Sequence, residues 1–448
     1  MLRPVDTPRR QLSEYRPHVA AGLLREVRQL GRQLRGARIL HVNSSETGGG
    51  VAEILRSEIP LLRGLGIRAE WRVVDADGAF FDATKKIHNA LQGARTQPTG
   101  AEWQAFDRVN RGVAQEIDGR RWDYVIIHDP QPSGVLRQGA TRRDATWIWR
   151  CHIDSERPHG PVLRRLRPAV QLFDGAVFSR RAYVFAVRQA RARIVSPAID
   201  PLAPKNARVP VAAARRIVRR FGIDPARPLL VQVSRFDPWK DQPGTVEAWR
   251  IARRTVRGLQ LALVGCSADD DPESASILAQ IKRQARGRRD VFVLDDRVDD
   301  RSVQAFLVCA DVVIQKSLRE GFGLTVTEAL WAGRPVVGGK VGGIPLQVRD
   351  GREGFLVDDP RQAARRIVEL CQEPEMAARL GRAGRLRVRR RFLLPRLVRD
   401  ELRYLLELKR FRPSSAARAA RGQTRRMRAR QLGQPWVASH TLIPRTSH

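Results

Sequence analysis

Two glutamates in the stretch REGFGLTVTEALW, Glu320 and Glu328, have seven residues between them. Paired carboxylates suggest acid–base work on one bond, but the spacing argues otherwise. The run DVVIQKS (311–317) reads as a strand, LREGFG as the loop at its end and LTVTEALWAG as a helix. A helix opening near Gly323 puts Glu328 about five residues in, roughly 7.5 Å along the axis, and leaves Glu320 outside it. Carboxylates so placed do not flank a single glycosidic bond. A division of labour fits better. An anion would rest on the turn amides of Gly321, Phe322, Gly323 and Leu324 at the positive end of the helix. Glu328, a turn behind, would accept two vicinal hydroxyls, and Glu320 would reach forward to whatever the anion carries. A nucleoside diphosphate sugar has that order of ribose, diphosphate and sugar. The plain alternative is a helix start with an ordinary surface charge.

Other strand ends carry compatible chemistry. In VSRFDPWKDQ (233–242), Arg235 and Lys240 stand five residues apart on a loop feeding a helix. A guanidinium grips phosphate oxygens bidentately and an ammonium adds a mobile point charge, so together they could hold a pyrophosphate without a metal. A solvated surface pair is the competing reading. NSSETGGGVAE (43–53) places Gly49 and Gly50 between a strand and a helix, where N–H groups can approach an anion without Cβ interference. A flexible strand–helix turn would look the same. The run is neither GxGxxG with a following acidic residue nor a P-loop, so neither nicotinamide nor Walker-type ATP binding is supported. RCHIDSE (150–156) closes a further strand, whose alternation puts His152 and Asp154 on one side. There His152 could serve as a general acid or base, donate to a sugar hydroxyl, or be structural only. HDPQP (128–132), containing Asp129, ends the preceding strand in a loop stiffened by two prolines.

Such positions need sheets with open carboxyl ends, and the chain supplies two. Short apolar runs alternate with amphipathic segments, the pattern of parallel sheets covered by helices. Strands are expected at 37–43, 69–74, 123–129, 146–153 and 175–179, then again at 229–236, 259–265, 290–295, 311–317 and 334–339. The four prolines of VSPAIDPLAPKNARVP (195–210) mark a crossover between the halves. The expected organisation is α/β, two Rossmann-like doubly wound domains facing across a cleft. Its parts are an N-terminal extension (1–36), a first domain (37–200), a second domain (201–391), a closing amphipathic helix (392–410) and a basic tail (411–448) expected to be disordered. In such folds ligands bind where strands end.

Composition sets the outer limits. A chain of 448 residues exceeds one compact core, and 42% hydrophobic content is ordinary for a globular protein. A net charge of +35 would suit nucleic acid or another polyanion. Yet only eight of the 82 basic residues are lysine, and the excess is spread along the chain. That imbalance fits a genome-wide codon bias at least as well as a binding surface, and no basic recognition motif accompanies it. Scarce lysine draws notice to Lys85, Lys86, Lys240 and Lys316, all within motif-like stretches. The N-terminus lacks the apolar run of a secretory signal, and no stretch approaches the roughly 18 apolar residues of a membrane span. Four scattered cysteines show neither metal-ligand nor disulfide spacing. The expectation is a soluble cytoplasmic protein with reduced thiols.

Arg235 with Lys240, and the Glu320-Gly-Phe-Gly turn with Glu328, resemble the retaining GT-B glycosyltransferases of the glycogen and sucrose synthase-like group. GGGVAEILRSEIPLLRGLGI (48–67), FFDATKKIHNALQG (80–93), IHDPQP (127–132), RCHID (150–154), AIDPLAPKN (198–206) and SRFDPWKDQPG (234–244) resemble, more narrowly, the trehalose glycosyltransferring synthases. The likeness runs from about residue 37 to 408 and leaves the two termini without a counterpart. It implies transfer of glucose from a nucleoside diphosphate glucose to free glucose, giving α,α-trehalose reversibly and with retention. Arg235 and Lys240 would hold the diphosphate and stabilise its departure, with Glu328 on the ribose and Glu320 on the donor glucose. The Gly49–Gly50 loop would close on the phosphates. His152, Asp154, Asp129, Lys85 and Asn89 would serve the sugar hydroxyls, chiefly on the acceptor side. Because Lys85 and Lys86 point about 100° apart on their helix, only one should face the cleft. No metal or cofactor is implied, the partners are small molecules rather than a specific nucleic acid, and a homodimer is compatible. Two other readings stay open: retaining transfer to a sugar phosphate, glycan or lipid, and polyanion binding through the net charge.

Overall fold

The computed structural model describes residues 1–47, 49–140, 145–185, 191–265, 273–295 and 298–410. Residues 1–405 form one compact unit, and of a second, 406–448, only the helical residues 406–410 are described. The tail expected from 411 onward therefore lies outside the described residues, as does Gly48.

The first unit contains two sheets. One is built from β1 (Leu2–Val5), β2 (Arg38–Asn43), β3 (Arg68–Val74), β4 (Tyr124–His128), β5 (Thr146–Cys151), β6 (Gly175–Phe178) and β7 (Ala192–Ile194), in the order β1-β3-β2-β4-β5-β6-β7. All its pairings are parallel except that of β1 with β3. The other comprises β8 (Leu229–Val233), β9 (Gln260–Gly265), β10 (Val291–Asp295), β11 (Val312–Gln315), β12 (Val336–Gly339) and β13 (Gly354–Val357), in the order β10-β9-β8-β11-β12-β13 and wholly parallel. Helices cover both faces, so central strands are apolar along their length rather than alternating. Every residue of β4 and β5 is buried, and Trp147 and Trp149 of β5 sit in the first core. A separate core gathers around Trp249, Leu261, Ile314 and Ile367 in the second sheet.

Strand order locates the ligand crevices. The order in which strands are added reverses between β2 and β4 in the first sheet and between β8 and β11 in the second. At such switch points the loops leaving neighbouring strands diverge and open a crevice beyond the carboxyl ends. The loops leaving β8 and β11 carry Arg235, Lys240 and Glu320.

Four strands differ notably from expectation. Residues 2–5, set apart as an extension, form β1 against β3. Strands β7 and β13, of three and four residues, were too short to show periodicity. Strand β5 ends at Cys151, so the alternation expected to carry His152 and Asp154 to one side stops before either. The crossover is also more than a spacer, since Ile199 pairs with Leu393 at the start of the closing helix, Leu394–Arg410. That helix returns to the first sheet, where Tyr404 donates to the Arg191 carbonyl at 2.7 Å.

Candidate active site

The REGFG turn is clamped by its backbone. Tyr183 donates its hydroxyl to the Glu320 carbonyl at 2.9 Å, and Gly343 N–H donates to the same oxygen at 3.2 Å. Gln347 reaches the carbonyls of Phe322, at 2.5 Å, and Gly323, at 3.2 Å. Gly323 caps the Leu324–Trp331 helix with φ 85°, a left-handed conformation that disfavours any side chain. Gly321 presses on the other sheet, where a Cβ built there would lie 2.2 Å from the His152 carbonyl oxygen. The carboxyl ends of β5 and β11 thus meet at backbone contact. Phe322 turns its ring inward against Phe392, 5.7 Å between centroids, so only its backbone is left for a ligand.

Within this clamp Glu320 is 6% exposed, and one of its oxygens accepts from Lys240 Nζ at 2.7 Å and from the Ser317 hydroxyl at 3.1 Å. Lys240 ends a short 3-10 turn, Pro238–Lys240, capped by Asp237, and Arg235 approaches Asp237 at 3.3 Å. Asp241 follows with φ 49°, caps the Gln242–Ala252 helix by accepting from Gly244 N–H and pairs with buried Lys316. Lys316, noted in the sequence as one of few lysines, therefore braces the Lys240 loop from β11.

The first sheet presents His152, Asp129 and Asp154. Asp129 is a non-glycine residue at φ 61°, and its Oδ1 accepts from the His152 backbone N–H at 2.7 Å. Burial lifts the Asp129 carboxyl to about 7. Asp154 is buried, accepts from Glu156 N–H and lies 3.9 Å from Arg319. On the Gly78–Leu91 helix, Lys86 turns outward to Glu102 at 2.5 Å. Burial first, then Lys85, Arg235 and Lys240, depress the pKa of His88 to about 3, so this helix face looks onto the loop that carries Arg235 and Lys240. Asn89 is buried with its Oδ1 unpartnered.

Glu328 shows what the sequence reading missed. It is 1% exposed, and one oxygen meets Lys205 Nζ at 2.8 Å while the other, buried, has no partner. Lys205 comes from the crossover and also holds both oxygens of Glu53, at 2.9 Å each, in the Gly50–Gly64 helix. Burial raises the Glu328 carboxyl to about 7, with Lys205 pulling the other way. For Lys205 the two carboxylates outweigh burial and raise its pKa. A lysine held between two carboxylates stays an ammonium, and at 2.8 Å it favours the ion pair. Gly50, opening the helix behind the Gly49 cap, lies against Leu324, where a built Cβ would be 3.2 Å from Cδ1. Lysine scarcity, had it been applied to Lys205, was the signal available.

The arrangement offers cations and helix-terminal amides for a diphosphate, carboxylates for hydroxyls on either side, and a histidine at the facing strand end. Residues 41–185 match the family model "Trehalose synthase, N-terminal domain" and residues 214–387 match "Glycosyl transferases group 1". The trehalose synthase of Rubrobacter xylanophilus is 43% identical over 414 residues, spanning 91% of this chain and 99% of that protein. This chain belongs to the trehalose synthase family. The Pyrococcus horikoshii trehalose synthase is 40% identical over 88% of this chain and 95% of its own length. In structure, sucrose-phosphate synthase from Thermosynechococcus elongatus superposes with a TM-score of 0.66 at 17% identity, covering 83% of this chain and 99% of that one. That likeness establishes the fold, GT-B.

As a trehalose synthase family member, the chain is a trehalose-metabolising glycosyltransferase. No described helix is long and apolar enough to cross a membrane.

Proposed function

We propose that this glycosyltransferase moves glucose from a nucleoside diphosphate glucose to free glucose, forming α,α-trehalose reversibly and with retention. The observation that carries the reading is the Lys240–Glu320 pair, joining the ends of β8 and β11 at the switch point of the second sheet. An incoming diphosphate would take part of the Lys240 charge, with Arg235 beside it. The Glu320 carboxylate, released in part, would turn to donor glucose hydroxyls. Glu328 keeps a buried, unpartnered oxygen for a ribose hydroxyl. As the bond from C1 to the phosphate oxygen breaks, both cations and the turn amides stabilise the growing negative charge. The acceptor oxygen bonds C1 from the same face, and its proton passes to the departing phosphate oxygen, which gives retention without a covalent enzyme intermediate. In this reading side-chain cations act in place of a metal.

The reverse direction tests it. Trehalose incubated with nucleoside diphosphates should give nucleoside diphosphate glucose and glucose. Glucose 1-phosphate formed instead with inorganic phosphate would make the protein a phosphorylase and refute the reading.

A further inference from the structure

Behind His152 a line of polar groups runs into the first sheet across three adjacent strands. His128 Nδ1 lies 3.0 Å from His152 Nε2, and His128 Nε2 lies 3.1 Å from His41 Nδ1. The ring planes are nearly parallel, with centroids 5.2 and 5.4 Å apart and interplanar angles of 16° and 26°, so the rings meet edge to edge. His41 Nε2 in turn faces Glu401 Oε1 at 3.9 Å. Beside it are Glu58 and Arg150, whose Nη1 is 2.6 Å from Glu401 and 3.5 Å from Glu58. His41, Glu58 and Arg150 are at most 2% exposed and Glu401 is 5% exposed. Four atoms of this cluster, His41 Nε2, Glu58 Oε1, Glu401 Oε1 and Arg150 Nη2, are buried without partners. The guanidinium already occupies the space between the carboxylates, so the set does not suit a metal cation.

Geometry limits the line to two states. Burial, with Arg150, holds all three imidazoles neutral, His41 at about 3 and the other two well below the usual histidine value. A neutral ring has one N–H and one bare nitrogen. Two consecutive ring–ring hydrogen bonds then force the same tautomer on all three, either Nε2–H throughout or Nδ1–H throughout. The first leaves His152 Nδ1 bare, and the second makes it a donor. Burial lifts the carboxyls of both Glu58 and Glu401, Glu58 lifts Glu401 further, and Arg150 pulls both down. The Arg150 guanidinium, 2.6 Å from Glu401 and 3.5 Å from Glu58, favours the negative charge on Glu401. Arg396, which pairs with Asp400 at 3.3 Å, is the other cation acting on Glu58. A carboxylate facing His41 Nε2 favours an N–H there.

We propose that Glu401, through His41 and His128, holds His152 as the Nε2–H tautomer, so that His152 offers a bare Nδ1 as hydrogen-bond acceptor to a sugar hydroxyl. His41, His128 and Glu401 are positioning residues: they act through His152 and touch no substrate. The closing helix thereby sets the chemistry of a cleft group from behind the sheet. The inference rests on the proposed glycosyl transfer and on His152 contacting a hydroxyl of the acceptor sugar, the role the family resemblance implies for it.

Long-range ¹H–¹⁵N correlation spectra of histidine-labelled protein, assigned by single His→Asn substitutions, read ring tautomers in the resting protein. The expected result is bare Nδ1 and protonated Nε2 at all three rings. Nδ1–H at His152 would overturn the proposal. In Glu401→Gln the loss of charge should shift the His152 tautomer and raise the acceptor KM about tenfold, the worth of one hydrogen bond, with the donor KM unchanged. A folded Glu401→Gln with an unaltered His152 spectrum would also overturn it. If this variant does not fold, the wild-type spectrum decides alone. The spectra need no turnover, so a failure of the trehalose reading is distinguishable from a failure of the relay.

Discussion

Lys240 donates to the Glu320 carboxylate at 2.7 Å, although the two residues are 80 apart in sequence. They are neighbours because β8 and β11 pair side by side and both strands end at the crevice. Neither group is at rest as a ligand would meet it. Each satisfies the other, which keeps an acid 6% exposed from standing alone.

Lys240→Ala should therefore act twice. Turnover should fall by roughly 10²–10³, the usual loss when a group stabilising transition-state charge is removed. The melting temperature should also fall, because Glu320 is left buried without its cation. Lys240→Ala/Glu320→Ala should recover part of that stability and none of the activity. Near-normal turnover in either single variant would remove these residues from the mechanism.

Gly321→Ala is expected to be inactive, since its Cβ would overlap the His152 carbonyl oxygen and push the two strand ends apart. Gly112, inside the Gly100–Asp118 helix with nothing within 4 Å of a built Cβ, is the contrast. There alanine should keep full activity and add about 1 kcal/mol of stability. Kinetics and thermal melts of both variants check this.

The Asp129 carboxyl, at about 7 in the folded protein against an ordinary value of 3.8, binds its proton more tightly folded than unfolded. Its contribution is fully present below pH 3.8 and is lost as pH rises through 7. Asp129→Asn removes that term and suits the φ of 61°. Relative to wild type, the variant should gain stability as pH rises from 3.8 to 7 and level off above, measured by melts across that range. A constant difference would contradict the assignment.

Much of this was legible in the sequence, for physical reasons that also explain the gaps. Buried parallel strands such as YVIIH declare themselves as unbroken apolar runs. Glycine, charge and strand end coincide in REGFG, so the turn could be placed before its contacts were known. Lys205 could not be reached in the same way. Its role depends on a proline-rich crossover returning to the Glu328 helix, a contact between residues 123 apart that no local pattern encodes. The His41–His128–His152 line was hidden likewise, because the three lie within, at the end of and just beyond three different strands and only strand order aligns them.

Lys205→Met should raise the donor KM more than it lowers kcat, because Lys205 positions Glu328 and touches no reacting atom. Steady-state kinetics with varied nucleotide-sugar tests this. A pure kcat loss would assign Lys205 another part.

The most direct test follows the reaction by NMR, with [1-¹³C]glucose and a panel of nucleoside diphosphate glucoses. The expected first product is α,α-trehalose labelled at one anomeric carbon, with one nucleoside diphosphate released per disaccharide, and neither forms in Lys240→Ala. No disaccharide from any donor, or a product with a β linkage at the donor carbon, would contradict the proposed transfer.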